Sequence, residues 1–176
     1  LVLRTYTNTA EYLIMDVDGT LTDGGIYYDN HGNELKKFCT KDGSGIVMAR
    51  AAGILLIVIT GRESPSTKKR MAELGVVNLY QNVKNKVEWL KAWMLENDVK
   101  KDEIGYVGDD LNDLAPMKIC GFVACPADAV EDVKKIADYI SVAKGGHGVI
   151  RDVVRELLVK AGVWDAVLEN AFGTGV

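Results

Sequence analysis

Short apolar runs that end in carboxylates or hydroxyls recur along this chain, with helical stretches between them. The first run is the sharpest: Tyr12-Leu13-Ile14-Met15 leads straight into Asp16-Val17-Asp18-Gly19-Thr20-Leu21-Thr22. A bulky apolar run bounded by a turn signal reads as a buried strand of a parallel sheet. Charges at its carboxyl end stand where open α/β sheets bind ligands. Carboxylates crowded there resist joint ionisation. A bound cation relieves that cost, and hard carboxylate oxygens suit Mg²⁺. The plainer alternative is a surface Asp pair opening an Asx-type turn before a glycine.

Strands are predicted near 12–17, 55–60, 104–108, 121–125 and 138–141. Helical patterns fall near 44–53, 64–75, 84–98, 112–119, 129–137 and 148–161, with a short last helix at about 163–171. Such alternation argues an α/β fold, a doubly wound, Rossmann-like parallel sheet with helices on both faces. At 176 residues the simplest organisation is one domain over 1–176, large enough for a real core. One segment breaks the alternation. Ile26-Tyr27-Tyr28 and Glu34-Leu35-Lys36-Lys37-Phe38 flank an Asn/Gly-rich connection, which predicts a β-hairpin flap over about 23–39. No insertion is long enough for a cap domain, so water must be excluded by other means.

Composition excludes several partners. Twenty-one Lys and Arg against 25 Asp and Glu give a net charge of −4, so no basic surface advertises nucleic acid or anionic lipid. The apolar runs are too short to span a bilayer, and no signal-peptide-like leader is visible. Cys39, Cys120 and Cys125 are an odd, scattered set that makes neither a disulfide framework nor a zinc cluster. Reduced thiols in a cytoplasmic protein are expected.

Two further strand ends carry chemistry. Leu56-Ile57-Val58-Ile59 runs into Thr60-Gly61-Arg62. A hydroxyl with free backbone N–H groups beside a helix start makes an anion pocket, although Thr60 alone reads equally as a helix N-cap. Arg62 can fork onto phosphate or carboxylate. Ile104-Gly105-Tyr106-Val107 runs into Gly108-Asp109-Asp110-Leu111-Asn112-Asp113. Three carboxylates in this short stretch read as metal ligation, or as an acidic helix start. Lys86 alone would be a solvated helix charge.

The ordered set is Asp-x-Asp-Gly-Thr, then apolar-Thr-Gly, then Lys, then Gly-Asp-Asp-x-x-Asp. It resembles the haloacid dehalogenase-like superfamily of phosphotransferases over nearly the whole chain. Asp23-Gly24-Gly25-Ile26-Tyr27-Tyr28-Asp29, Lys41-Asp42-Gly43, Gly61-Arg62-Glu63-Ser64-Pro65 and Gly145-Gly146-His147-Gly148-Val149-Ile150-Arg151 narrow the likeness. They resemble the capless 3-deoxy-D-manno-octulosonate 8-phosphate phosphatases. That family implies a homotetramer in which a hairpin flap and a glycine-rich tail, here about 145–176, close neighbouring sites. Read without the family, Gly145, Gly146 and Gly148 are a flexible loop.

The resemblance implies Asp16 as nucleophile, forming an aspartyl-phosphate, and Asp18 as acid and then base. It implies Mg²⁺ on Asp16, on the backbone carbonyl of Asp18 and on Asp109. Thr60 and Lys86 would hold phosphoryl oxygens, with Asp110 and Asp113 around the metal and the lysine. The substrate would meet Gly61, Arg62, Arg70 and, from a neighbouring subunit, Arg151, with Lys41 and Asp42 bordering the mouth. Three other readings stay open. They are a nine-carbon sialic-type acid 9-phosphate as substrate, a non-catalytic oligomerisation module of the same fold, and a receiver-like phospho-switch.

Overall fold

A computed structural model describes residues 10–173 and 175. Its main sheet has six parallel strands: β1 (Tyr12–Met15), β4 (Leu55–Ile59), β5 (Asn78–Tyr80), β6 (Ile104–Val107), β7 (Phe122–Cys125) and β8 (Tyr139–Ile140). Their order across the sheet is β5-β4-β1-β6-β7-β8. The winding therefore reverses between β1 and β6, and that reversal opens a crevice at the carboxyl ends of these two strands. The doubly wound expectation is met.

Helices α1 (Thr40–Ala51), α2 (Pro65–Glu73) and α3 (Lys86–Asn97) connect the strands of the first half. The short α4 (Leu114–Met117) and α5 (Glu131–Lys134) connect those of the second. Helices α6 (Val149–Lys160) and α7 (Trp164–Phe172) follow. Side chains alternate across a strand, so β1 feeds two cores. Leu13 and Met15 join Leu56, Val58, Ile46, Val153 and Leu157 on one face. Ile14 joins Ile57, Ile59, Tyr106, Leu90 and Met117 on the other. Both faces of the sheet are thus dry, which is why the strands read as continuous apolar runs. Helix α1 packs closely on α6 because Gly45 has no side chain: a Cβ there would lie 2.6 Å from the Arg151 backbone.

Four elements differ from the sequence reading. Strand β5 was not anticipated; Asn78-Leu79-Tyr80 is short, half-buried and at the sheet edge, so it shows no apolar run. Helix α1 begins at Thr40, ahead of the predicted 44. The predicted helices 112–119 and 129–137 are single α-turns flanked by tighter turns. The flap is a real hairpin: β2 (Tyr27–Tyr28) pairs antiparallel with β3 (Glu34–Leu35). Its tip is tied by Asp29, whose carboxylate accepts the N–H groups of His31 and Asn33, each at 2.8 Å.

Candidate active site

After β1 the chain makes one wide turn over Val17–Leu21, and Gly19 takes φ +97°. The turn carries Thr20 and Gly19 against Asp109. Thr20 Oγ1 donates to Asp109 Oδ1 at 2.9 Å. A Cβ on Gly19 would lie 2.0 Å from Asp109 Oδ2, so only glycine allows this approach. Asp16 stands at the strand end itself, with its N–H on the Val107 carbonyl at 3.0 Å.

The loop after β6 supplies Asp109, Asp110 and Asp113. Asp110 Oδ1 accepts the Leu111 N–H at 2.7 Å and caps its own turn. Asp113 is fully buried. Its Oδ1 accepts Lys86 Nζ at 2.7 Å and the Tyr106 hydroxyl at 2.8 Å. Its Oδ2 accepts the N–H groups of Asp109 at 3.1 Å and Asp110 at 3.4 Å. Lys86 opens α3, where Asn85 caps the helix by accepting the Glu88 N–H. From there its ammonium also donates to Asp16 Oδ1 at 2.6 Å. Lys86 is therefore a buried charge between two carboxylates rather than a solvated helix residue.

Asp16, Asp109 and Asp113 each offer an oxygen within 4.8 Å of the others. One ammonium does not balance three carboxylates. Burial, aided by the Asp113 charge and opposed by Lys86, pushes Asp16 up to about 7. Burial and then the charges of Asp16 and Asp113 push Asp109 up to about 8. Burial pulls Lys86 down, but its two carboxylates overcome that and the ammonium is held. Asp109 has no cationic partner among the described residues and accepts only the Thr20 hydroxyl. The lone pairs of Asp113 are already committed. Asp16 and Asp109 are thus the donors that suit a hard divalent cation.

Thr60 is buried at the end of β4, and its hydroxyl accepts the Arg62 N–H at 3.3 Å. The Gly61 carbonyl accepts Lys84 Nζ at 2.6 Å. Arg62 Nη2 donates to Glu34 Oε2 on the flap at 2.7 Å. Glu34 in turn pairs with Lys36 at 2.8 Å, and Lys36 pairs with Asp18. The flap thus reaches Asp18 through a side chain that sequence reasoning passed over. Its only sequence signal was that Glu34 and Lys36 stand two apart in a strand-like run, Glu34-Leu35-Lys36-Lys37-Phe38, which puts them on one face if extended.

The remaining candidates sit farther out. Arg70 pairs with Glu73 at 3.3 Å and its guanidinium lies over Gly43. Arg151 is exposed near the start of α6. Neither has a hydrogen bond or ion pair to Asp16, Asp18, Asp109 or Lys86 among the described residues. Asp42 does not border the mouth. It is buried, and its carboxylate accepts the N–H groups of Gly148 at 3.1 Å and Ile150 at 2.7 Å, capping α6. Gly145 and Gly146 rest against the Gly19–Asp23 backbone. Thr174 and Val176 of the predicted tail lie outside the described residues.

Residues 75–152 match the haloacid dehalogenase-like hydrolase family model. The 3-deoxy-D-manno-octulosonate 8-phosphate phosphatase of Salmonella typhi is 38% identical over 163 residues, 93% of this chain and 87% of that protein. The chain belongs to the haloacid dehalogenase-like phosphatases of this type. A subfamily III A hydrolase of the haloacid dehalogenase superfamily from Legionella pneumophila superposes with a TM-score of 0.89. It is 31% identical, covering 98% of this chain and 94% of its own. The 3-deoxy-D-manno-octulosonate 8-phosphate phosphatase of Moraxella catarrhalis, crystallised with magnesium ion, phosphate ion and KDO, gives 0.87 at 32% identity, covering 96% and 98%. This haloacid dehalogenase-like phosphatase is therefore a phosphoric monoester hydrolase, and the non-catalytic module and phospho-switch readings fall away. No described helix is long and apolar enough to cross a membrane.

Proposed function

We propose that this enzyme hydrolyses 3-deoxy-D-manno-octulosonate 8-phosphate, with Mg²⁺, through an aspartyl-phosphate on Asp16. The observation that carries the reading is the meeting of Asp16, Asp109 and the Lys86–Asp113 pair at the sheet's switch point. The relatives named above support the substrate.

Asp16 attacks phosphorus in line as the bond to the sugar oxygen breaks, which splits one hard displacement into two easier ones. Asp18 gives its proton to the departing oxygen, then takes one from the water that attacks the aspartyl-phosphate and frees Asp16. Lys86 orients Asp16 through its 2.6 Å hydrogen bond and, with Thr60, holds phosphoryl oxygens. Asp113, itself held by the Tyr106 hydroxyl, fixes Lys86 in that position. Asp16, the backbone carbonyl of Asp18, and Asp109 would hold the cation. Bound there, it neutralises carboxylate and phosphoryl oxygens that would otherwise repel. Arg62, and Arg70 and Arg151 as outlying cations, suit a substrate that carries a carboxylate of its own. Asp110 shapes the loop that presents Asp109.

The proposal extends to a homotetramer whose flaps and tails lie against neighbouring sites. The exposed Ile26, Tyr27, Tyr28 and Leu35 of the flap support it, and light scattering tests it.

The activity test is phosphate release from a panel that includes the eight-carbon acid, a nine-carbon acid 9-phosphate and a hexose phosphate, with Mg²⁺ or with EDTA. The eight-carbon ester should be preferred, EDTA should stop turnover, and Asp16→Asn should lose it. Turnover retained by Asp16→Asn would overturn the covalent route.

A further inference from the structure

Lys36 has a buried ammonium that the mechanism above leaves unused. Its side chain is 2% exposed, yet it sits in the flap beside the exposed Tyr27, Tyr28 and Leu35. Burying an ammonium is unfavourable unless it is paired and hydrogen-bonded. Here it is paired twice, with Glu34 at 2.8 Å and with Asp18 Oδ1.

The hairpin that carries it has two residues in each strand, too little to be stable alone. Polar ties hold it down instead. Lys36 reaches Asp18, Glu34 reaches Arg62 at 2.7 Å, and Ser66 Oγ donates to the Glu34 carbonyl at 3.5 Å. The same contact that seats the flap therefore fixes the Asp18 side chain. Asp18 is otherwise part-exposed, at 26%, and no other side chain among the described residues hydrogen-bonds its carboxylate.

Resting on the reading of Asp18 as the proton donor, we infer that Lys36 is a positioning residue: flap closure sets it on Asp18 Oδ1 and aims Oδ2 at the leaving oxygen. In the first step the proton on Oδ2 passes to the sugar oxygen, which keeps the electron pair of the breaking P–O bond. An open flap leaves the carboxyl group free to rotate away.

The test uses the full chain with Mg²⁺ and compares two leaving groups under single-turnover conditions. A sugar alkoxide needs the proton as it departs; 4-nitrophenolate does not. Lys36→Met should slow release of the sugar from its phosphate about tenfold or more, within the range ascribed to general acids. The single-turnover rate of 4-nitrophenolate release should stay within about twofold. The alkyl-ester loss should fall on the maximal single-turnover rate more than on the half-saturating concentration, and Lys36→Arg should restore part of it. Equal losses with both leaving groups, or none with the sugar ester, would overturn the inference. Should Lys36→Met not fold, Glu34→Gln loosens the flap with Lys36 in place and must show the same selective loss. If the unaltered chain cleaves 4-nitrophenyl phosphate and not the sugar-acid ester, the substrate assignment fails. Glycerol phosphate then replaces that ester in the Lys36 comparison.

Discussion

Lys86→Met removes the one ammonium paired with Asp16 and Asp113 among the described residues and leaves its methylene packing largely in place. The three side chains are nearly dry, at 2%, 6% and 0% exposure. Two ionised carboxylates no more than 4.8 Å apart repel by about 3.5 kcal/mol at an effective dielectric constant of about 20. Losing one partner of a buried pair costs about 3–5 kcal/mol. The loss should depend on pH with a definite sign. In the folded chain Asp16 and Asp109 sit at about 7 and about 8, above the ordinary 3.8. The folded state therefore keeps protons that the unfolded state releases as pH rises through this window, and stability falls with rising pH. Lys86 opposes that fall. Urea unfolding in EDTA, followed by circular dichroism, should show Lys86→Met destabilised by about 3–5 kcal/mol at pH 8, and by clearly less at pH 5, where both groups hold protons. An equal loss at the two pH values would refute the charge argument.

Two further predictions concern Asp109. In Asp109→Asn the metal-free protein should be no less stable than the parent at pH 8, since a buried unpaired acid is gone. The rise in Tm that Mg²⁺ gives the parent, larger at pH 8 than at pH 5, should disappear; a persisting rise would place the cation elsewhere. Gly19→Ala puts a methyl 2.0 Å from Asp109 Oδ2 and a side chain at φ +97°. The strained backbone alone costs about 1–2 kcal/mol, and kcat should fall at least about tenfold, or about 1.4 kcal/mol in barrier, while the chain stays folded. Full activity would show that the close approach is dispensable.

Much of the site was legible because its residues follow apolar runs. Asp16, Thr60 and Asp109 each end a strand whose two faces are buried, and such strands announce themselves. Strand β5 did not, because Asn78-Leu79-Tyr80 is extended only by pairing with β4. Asp42 looked like a mouth residue, since nothing local says that a carboxylate at 42 caps a helix beginning at 149.

What the order of residues determined alone is the set of strands, their polar ends and the chemistry these ends can carry, since burial pattern and turn signals act over a few neighbours. Tertiary structure decided which ends meet. Placing β1 beside β6, with the winding reversed between them, brought Asp16 to Asp109 and closed Lys86 and Asp113 around them. Folding the flap down set Lys36 on Asp18. Those contacts join residues far apart in the chain, and only the packing of the whole sheet and its covering layers selects them.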